Sequence, residues 1–434
     1  MRLVLIILLY LFFSLRSIGQ PGETFTVMHY NLLYYGVNTS FCTSINNNVD
    51  LKDQNLAIIV DYVQPDIFTV NELGRGPAGP QDPFNLFRLL DNVLNSSAEP
   101  RFSAAPYTNT TNSTIVNGLF YDNTKFVFHG VEVIANVVRD INLYTLYVKD
   151  QQRLLAGDTI FLHAIVAHLK AGSSASDQNS RTAEIQTVMS YINQSNLRGN
   201  LMFLSDLNMQ SSHEFAYQHL TFHVNQGIRF HDPINQPGTW SDNPNFAQHH
   251  TQSTRVVSGC FSGGGMDDRF DQILVSNSIM SGSRGLRYVA GSYYALGQDG
   301  LRFNQTLISP QNNSAPPNVI NALFGMSDHL PVILELEMVN IETSVPETLV
   351  SVPQILFNNP TSEVLNLEVR NLNGSAKVSI YSMAGQLLKY FRVEAFQQSV
   401  ALTLGVQDLS VGMYFVRLEG NGFPPISVKL LIFR

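Results

Sequence analysis

Between Phe25 and Met338 the chain alternates short apolar runs with segments whose apolar residues follow helical spacing. Runs of apolar and β-branched residues are typical of buried strands, and they occur at 25–30, 67–70, 159–167, 201–204, 273–275 and 332–338. Amphipathic helices are predicted at Leu56, Ile59, Val60 and Val63, at Leu86, Leu89, Leu90 and Val93, and at Ile185, Val188, Met189 and Ile192. This alternation predicts an α/β domain.

The pattern changes after residue 340. Residues 341–351 are mostly polar, include a proline, and are predicted to form a linker. Residues 352–434 show strand-like runs at 365–369, 377–381, 413–418 and 427–430, with turn signals at Asn373-Gly374, Ala384-Gly385 and Gly420-Asn421-Gly422. We expect this part to form a small all-β, immunoglobulin-like sandwich, separate from an α/β domain over 20–340.

The amino terminus has the pattern of a secretory signal peptide over residues 1–19. Arg2 precedes an apolar run, and Ser17-Ile18-Gly19 offers a small-x-small cleavage site. The run is shorter than the roughly 20 apolar residues that a membrane-spanning helix needs, and no later stretch reaches that length. We therefore expect an exported, soluble protein without a stable membrane span, and we expect it to be a monomer.

Composition narrows the class of protein. The chain has 434 residues, of which 44% are apolar and 14% charged, enough for two domains with buried cores. Lys and Arg number 26 against 34 Asp and Glu, and the formal net charge is −8. This balance argues against a large positively charged surface that binds nucleic acid. A nuclease stays compatible with it, because a bound metal ion supplies local positive charge.

Cys42 and Cys260 are the two cysteines of the chain. Export permits a disulfide, and two cysteines in one domain can form one intramolecular pair. The alternative is two separate buried thiols; we favour the disulfide. Because the sequence has no Cys/His spacing of the zinc type, a metal ion should be held mainly by oxygen ligands.

Polar residues of the kinds used in metal-assisted catalysis lie at the ends of the predicted strands. They are Asn31, Glu72, His168, Asp206, Asn208, Asp271, Asp328 and His329. Singly, each has an ordinary structural explanation: His168 could be a buried core histidine, and Asp271 could pair with Arg269. Together they supply what phosphate-ester hydrolysis needs, namely oxygen ligands for a cation, a base for water and donors for the phosphate.

The same residues carry a resemblance to the endonuclease/exonuclease/phosphatase superfamily. Its motifs occur here in the same order, as Asn31, Val70-Asn71-Glu72, Ala167-His168-Leu169, Ser205-Asp206-Leu207-Asn208, Arg269-Phe270-Asp271-Gln272-Ile273-Leu274 and Ser327-Asp328-His329. That superfamily includes pancreatic-type deoxyribonucleases, abasic-site endonucleases, neutral sphingomyelinases and inositol polyphosphate 5-phosphatases. The resemblance covers about residues 25–338. It implies a four-layer α/β sandwich, in which two sheets pack face to face and helices cover their outer faces.

The resemblance also implies how a metal ion and a base would be placed. Asn31 and Glu72 resemble the residues of the family that hold Mg²⁺ or Mn²⁺, with Asp328 as a further contributor. Asp271 and His329 resemble an Asp-His dyad, in which the carboxylate orients the imidazole and the imidazole acts as general base.

Other residues are predicted to act on the phosphate and the rest of the substrate. Asp206 and Asn208 resemble the pair that positions the nucleophile and the phosphate, and His168 resembles a phosphate-stabilising or acid-side histidine. Asn117 lies near the place where some nucleases of the family have Tyr and Arg. The residues predicted to contact the substrate are Asn117, Lys170 and Arg255. For Lys170 and Arg255 the alternative is a solvated surface charge.

The C-terminal residues carry a second resemblance. Asn359-Pro360, the segment 379–386 and the run 412–416 before Val428-Lys429-Leu430 are similar to the type A sorting domain of the type IX secretion system of Bacteroidota. This implies export through the periplasm, contact with the type IX machinery, and release or attachment at the cell surface. An immunoglobulin-like spacer or a carbohydrate-binding module is the alternative.

These expectations converge on a secreted, divalent-metal-dependent phosphoesterase. We expect a phosphodiester substrate, with extracellular nucleic acid first. A phosphodiesterase of lipid head groups, or a phosphatase of inositol phosphates or other small molecules, is the alternative among enzymes. A surface-displayed binding module with a decayed active site is the alternative of another class, and the complete set of polar residues argues against it.

Overall fold

The computed structural model describes residues 22–96, 99–339, 353–383, 385–420 and 425–434. The expected signal peptide and the expected linker lie outside these ranges. The chain splits into two compact units, Met1–Ile341 and Glu342–Arg434. Among the described residues, no helix combines the length and the apolar character needed to cross a membrane.

Two mixed β-sheets form the centre of the first unit. The seven-stranded sheet has the order β11-β13-β1-β2-β4-β3, with β12 also paired to β13. Its strands are β1 (Thr24–Tyr35), β2 (Ile67–Gly74), β3 (Phe102–Ala104), β4 (Ile115–Asp122), β11 (Leu286–Tyr288), β12 (Tyr294–Ala295) and β13 (Val332–Met338). The six-stranded sheet has the order β5-β6-β7-β8-β10-β9. Its strands are β5 (Phe126–Ala135), β6 (Ile141–Val148), β7 (Phe161–His168), β8 (Asn200–Asp206), β9 (Phe230–His231) and β10 (Asp271–Ser276).

In the described part of the first unit, seven α-helices connect these strands. They are α1 (Val49–Val63), α2 (Phe84–Leu89, continued by a π-helical turn Leu90–Leu94), α3 (Gln151–Leu155), α4 (Ala175–Gln194), α5 (Phe215–Thr221), α6 (Asn277–Ser281) and α7 (Pro317–Met326), with short 3-10 turns at Gln226–Ile228 and Pro244–His249. The side chain of Asn48 caps α1 by accepting from two backbone N–H groups, and Ser174 forms a capping box with Asp177 at the start of α4. The helices predicted from apolar spacing are confirmed as α1, α2 and α4.

Strand β7 shows why the fold has four layers. Its side chains alternate between two cores: Leu162 and Val166 pack between the two sheets, whereas Ile165 packs against α4 on the outer face. Because both faces of the strand are buried, its sequence is a nearly continuous apolar run rather than an alternating one. On the other side of the molecule, α1 and α7 cover the seven-stranded sheet. The predicted helix–sheet–sheet–helix sandwich is confirmed.

The second unit is all-β, as predicted. Its strands are β14 (Gln354–Phe357), β15 (Val364–Ser382), β16 (Leu387–Gly405), β17 (Gly412–Gly420) and β18 (Ile426–Ile432), hydrogen-bonded as one antiparallel sheet around an aliphatic core. The predicted turn at Asn373-Gly374 is wrong. The chain continues through this position as an irregularity inside β15, and Gly374 takes the left-handed φ of 110° that favours glycine. The turn predicted at 420–422 falls partly on residues outside the described ranges.

Candidate active site

Strand register brings the predicted polar residues to one end of both sheets. In the six-stranded sheet, His168 lies opposite Asp206 in the parallel β7–β8 pair, and Asp206 lies opposite Asp271 in the antiparallel β8–β10 pair. In the seven-stranded sheet, β2 presents Glu72 one residue beyond the partner of Asn31 on β1. Because the two sheets pack face to face, these side chains meet between the sheet ends.

The backbone is left-handed at several non-glycine residues of this end. Glu72 has a φ of 55°, Leu33 of 47°, Tyr34 of 49° and Asn208 of 51°. Such a conformation costs roughly 1–2 kcal/mol for a residue with a β-carbon, and it persists only where surrounding contacts hold it. The Tyr34 N–H donates to Glu72 Oε2 at 3.0 Å, and Lys52 Nζ donates to the Leu33 carbonyl at 2.9 Å. These contacts fix the turn that carries the Glu72 carboxylate.

Asn31 orients two carboxylates at the centre of the cluster. Its Nδ2 donates to Glu72 Oε1 at 3.2 Å and to Asp206 Oδ2 at 3.0 Å, while its Oδ1 accepts from the Leu33 N–H at 3.0 Å. All of these side chains are buried. The predicted metal-site residue Asn31 thus contacts both carboxylates directly, with its own oxygen turned to the backbone.

His168 completes a group of three side chains that could hold a metal ion. One ligand atom from each of Glu72, His168 and Asp206 lies within 4.8 Å of the other two. His168 Nε2 is 3.4 Å from Asp206 Oδ2, and its Nδ1 is buried without a hydrogen-bond partner. Burial, followed by the positive charge of Arg139, lowers the pKa of His168 well below its ordinary value. A lowered pKa favours the neutral imidazole, the form that a metal ligand requires.

Asp271 and His329 form the predicted dyad geometry. His329 Nδ1 is 2.7 Å from Asp271 Oδ2, and the same oxygen accepts from the Thr251 hydroxyl at 2.7 Å. The His329 backbone N–H donates to Ser327 Oγ, whose hydroxyl donates to the Asn31 carbonyl at 2.7 Å. Both ends of the dyad are thereby fixed, and Nε2 of the imidazole faces the carboxylate cluster, 3.9 Å from Asp206 Oδ2.

The electrostatics of the cluster show an excess of buried negative charge. Burial, and then the charge of Asp328, raise the pKa of Glu72, and burial raises the pKa of Asp206 to about 7. Burial by itself would lower the pKa of His329, but the charges of Asp271 and then Asp206 outweigh it, so that this pKa lies well above its ordinary value. Buried carboxylates in this arrangement favour either protons or a bound cation.

Lys52 lies beneath the cluster and was not predicted from the sequence. Its Nζ is buried and donates to the carbonyls of Leu32 at 2.7 Å, Leu33 at 2.9 Å and Met326 at 2.6 Å. Burial lowers the pKa of Lys52 to about 7, and the nearby charge of Asp328 opposes this shift. The side chain ties the end of β1 to the segment that leads into Asp328. Its place inside α1 gave no sequence signal, because the lysine precedes Leu56, Ile59, Val60 and Val63, the apolar positions from which the helix was predicted.

A cavity of about 650 Å³ opens onto these groups. Of the eight residues predicted at strand ends, six line it: Glu72, His168, Asp206, Asn208, Asp328 and His329. Gln252 lines it as well, with Nε2 2.7 Å from His329 Nε2. Sequence reasoning missed Gln252 because it lies in a loop without a motif. Asp328 Oδ2 accepts from the Ser262 N–H at 2.8 Å, and its Oδ1 is buried without a partner.

Asn117 does not line this cavity. Its Nδ2 donates to the carbonyls of Asp140 and Val166 at 2.8 Å and 3.0 Å, and its Oδ1 accepts from Asn71 Nδ2 at 2.7 Å. Asn71 in turn accepts the Asp206 backbone N–H at 3.0 Å. The Asn117 side chain is therefore buried and links the two sheets below the cluster, which argues against the predicted substrate contact.

Lys170 and Arg255 also lie outside the cavity wall. Lys170 Nζ pairs with Asp177 at 2.7 Å, at the start of α4. The Arg255 guanidinium lies 4.0 Å from the ring centroids of both Phe261 and Phe324 and donates to the Phe324 carbonyl at 3.0 Å. Both cations are thus bound to groups of the protein, and neither is directed at the cavity.

Cys42 and Cys260 form a disulfide at the wall of the cavity. It joins the loop after β1 to the loop before β10, two segments that are 218 residues apart in sequence. The predicted alternative of two separate thiols does not occur.

Fold and site together define the first unit as a four-layer α/β sandwich with a histidine–carboxylate cavity between its sheet ends. The second unit is a secretion-system sorting domain: residues 356–432 match the family model described as "Secretion system C-terminal sorting domain". This indicates export, with secretion or attachment at the cell surface. No curated protein matches the chain.

Several solved structures are similar to most of the chain. Humanized D. rerio TDP2 is 13% identical, with 73% of this chain and 99% of that chain covered and a TM-score of 0.44. The human Nocturnin catalytic domain is 15% identical, with coverages of 73% and 95% and a TM-score of 0.43. An endonuclease/exonuclease/phosphatase family protein from Bacteroides thetaiotaomicron is 15% identical, with coverages of 74% and 96% and a TM-score of 0.45.

Proposed function

We propose that the first unit hydrolyses phosphodiester bonds with the help of a divalent cation. The observation that carries this proposal is one cavity that combines buried carboxylates, one of them with an unpartnered oxygen, with a histidine held by a further carboxylate. Hydrolysis of a phosphate diester needs these parts together: a cation for the developing oxyanion charge, a base for water, and neutral donors for the phosphate oxygens.

The residues present fit a hard cation such as Mg²⁺ or Mn²⁺. Glu72, Asp206 and Asp328 offer carboxylate oxygens around the cavity, and Asp328 Oδ1 is buried without a hydrogen-bond partner. Such oxygens are the ligands that Mg²⁺ prefers. A buried, unpartnered carboxylate oxygen is costly unless a cation or a proton satisfies it. We propose that Glu72 and Asp328 hold the metal ion, with Asn31 orienting the Glu72 carboxylate.

In this proposal His329 takes a proton from the attacking water and Asp271 orients it. The carboxylate on Nδ1 fixes the tautomer in which Nε2 is an acceptor, and it stabilises the imidazolium that forms. The attacking water would take the place of Gln252 Nε2, which lies 2.7 Å from this ring nitrogen. When bound, the cation offsets phosphate charge and lowers the pKa of water. Asp271 contributes most to the raised pKa of His329, and the charges of Asp206 and Asp328 add to it; a cation bound beside the latter two would offset their contribution and lower this pKa.

His168 and Asn208 are proposed to contact the phosphate. Both line the cavity next to Asp206, and the neutral His168 imidazole can donate a hydrogen bond without needing a proton from solvent. Asn208 is held in place by its backbone N–H, which donates to Asp206 Oδ1 at 3.1 Å. Nucleic acid as the substrate stays a prediction from the sequence.

A soluble diester without a base or a lipid tail tests the chemistry separately from substrate recognition. We expect the purified, metal-stripped chain to hydrolyse bis(p-nitrophenyl) phosphate only after Mg²⁺ or Mn²⁺ is added, and to lose this activity in EDTA. Parallel reactions with plasmid DNA and RNA test the nuclease prediction. Undiminished hydrolysis of the soluble diester in EDTA would contradict the metal-dependent mechanism.

A further inference from the structure

Two loops that border the cavity are cross-linked to each other. Residues 39–48 follow β1, residues 256–266 precede β10, and the Cys42–Cys260 disulfide joins them. Phe41, Cys42, Gly259 and Cys260 belong to the wall of the cavity. The cross-link therefore sits at the opening through which a substrate reaches the carboxylate cluster.

These loops expose four large apolar side chains, which we call the apolar rim. The exposed fraction is 73% for Phe41, 93% for Ile45, 49% for Val256 and 75% for Val257. Each residue lies within four positions of Cys42 or Cys260, so each is within roughly 14 Å of the disulfide along the chain. Apolar side chains scattered singly over a surface need no explanation, but a group gathered around a catalytic opening marks an interaction site.

Hydrogen bonds keep both loops ordered despite their exposure. The Thr39 N–H donates to the Cys42 carbonyl at 2.7 Å, and the Asn46 side chain donates to the Phe41 carbonyl at 2.9 Å. In the second loop the Gly264 N–H donates to the Val256 carbonyl at 3.2 Å. The apolar rim is thus held outward by fixed backbone and loses little conformational freedom when it is covered.

The apolar rim is electrically neutral. Neither loop contains an Asp, Glu, Lys or Arg between residues 39 and 48 or between 256 and 266. The neighbouring Arg255 is sandwiched between Phe261 and Phe324. Proteins bind anionic membranes through clusters of Lys and Arg, each of which contributes about 1 kcal/mol near the membrane, and these loops contain none. The uncharged loops are therefore suited to a membrane surface without net charge.

We propose that the apolar rim docks on a zwitterionic lipid surface and places the cavity over the phosphodiester groups of lipid head groups. The side chains of Ile45 and Val257 would enter the region between head groups and acyl chains, where polar Ser, Thr and Asn residues of the same loops face the head groups. Lipid hydrolysis rests on the proposed function of the cavity, whereas docking does not.

The test is co-sedimentation of the purified chain with phosphatidylcholine vesicles, with EDTA present so that no lipid is hydrolysed. We expect the wild-type chain to sediment with these vesicles and to gain little from added phosphatidylserine. The double variant Ile45→Ser/Val257→Ser should bind at least about tenfold more weakly, since each lost side chain removes apolar area from the contact.

Leu155→Ser/Val224→Ser provides the matched control, because these residues are 83% and 91% exposed and lie outside both loops. It should bind vesicles like the wild type. Hydrolysis of bis(p-nitrophenyl) phosphate should be unchanged in both double variants, since Ile45, Val257 and the control residues do not line the cavity.

Two results would overturn the docking proposal while leaving the catalytic one intact. In the first, the chain hydrolyses the soluble diester but does not sediment with phosphatidylcholine. In the second, Ile45→Ser/Val257→Ser abolishes a concentration-dependent dimer, measured by analytical ultracentrifugation, without changing vesicle binding; the apolar rim would then be an interface between copies of the chain. Vesicle binding without hydrolysis of the soluble diester would instead count against the catalytic proposal alone.

Discussion

The two units of this chain handle buried polar groups in opposite ways. In the described part of the second unit, the buried residues are aliphatic or aromatic apart from Thr361 and Ser379. The first unit buries three carboxylates and two histidines in the wall of one cavity, where burial shifts the pKa of Glu72 and Asp206 upwards. A hydrocarbon core suffices to fold a domain. A cluster of buried charges opposes folding, and its presence indicates that the site has a chemical role.

The largest effect should come from removing the proposed base. We expect His329→Ala to lower kcat on a soluble diester by about 10²–10⁴-fold, because general-base catalysis contributes about that much. Asp271→Asn should cost less, since it misorients the imidazole without removing it. Steady-state kinetics measures both.

A surface histidine supplies the control for that comparison. His213→Ala changes an exposed imidazole outside the cavity and should leave kcat unaltered. Near-wild-type activity of His329→Ala would remove the dyad from the mechanism. Loss of its far-ultraviolet circular dichroism together with activity would assign the residue a structural role instead.

The Cys42–Cys260 disulfide is expected to stabilise the first unit, and the second unit contains no cysteine. Replacing both cysteines, as Cys42→Ser/Cys260→Ser, should lower the free energy of unfolding of the first unit by about 2–5 kcal/mol, because the cross-link closes a long loop in the unfolded chain. Urea denaturation followed by tryptophan fluorescence measures this, since Trp240 lies in the core of the first unit. An unchanged midpoint would show that the cross-link does not contribute to stability.

Glu184 should make the first unit sensitive to pH. Burial raises the pKa of this carboxyl from 4.5 to about 7, and its Oε1 has no hydrogen-bond partner. Between those values the folded state retains a proton that the unfolded chain has released, so stability should fall as the pH rises from 4.5 to 7. The shift corresponds to about 3 kcal/mol at most.

Glu184→Gln tests this origin by removing the titration. The variant should show a smaller decline in unfolding free energy across that interval than the wild type, because Asp206, whose pKa burial also raises to about 7, still contributes. Glu394→Gln, at an exposed position of β16, should keep the full decline. Parallel curves for the wild type and Glu184→Gln would mean that other groups set the pH dependence.

The smallest effect on catalysis is expected from deleting the second unit. Without residues 352–434 the purified first unit should keep its kcat, while export in a host with the type IX system should fail. Normal secretion of the truncated chain would contradict the sorting role, and a fall in kcat would show that the two units are not independent in function.

Features that depend on neighbouring residues could be predicted from the sequence, whereas features that depend on contacts between distant residues could not. The strands and the residues at their ends were predictable, because apolar runs and the order of motifs are local properties; β7 with His168 is an example. Contacts between residues far apart in the sequence were not predictable. Asn117 stood near the right motif but is bound between the sheets, and Lys52 reaches Met326, 274 residues away, through a contact that no local pattern encodes.

The turn assigned to Asn373-Gly374 failed for a related reason. That dipeptide favours a turn in isolation, but the pairing of β15 with β16 on both sides of it keeps the strand continuous. Tertiary pairing thus overrode the local preference. The apolar rim also emerged only from the fold, because its two loops are far apart in sequence and are joined by the disulfide.

The central claim is that buried carboxylates in the first unit hold a catalytic cation. A Mg²⁺ titration of the EDTA-stripped enzyme, with hydrolysis of bis(p-nitrophenyl) phosphate as the readout, tests it most directly when the wild type and Glu72→Gln are compared. We predict no activity before metal is added, saturable activation of the wild type, and a loss of several kcal/mol of transition-state stabilisation in Glu72→Gln that added Mg²⁺ does not restore. Equal activity of the two proteins, or wild-type activity before any metal is added, would contradict it.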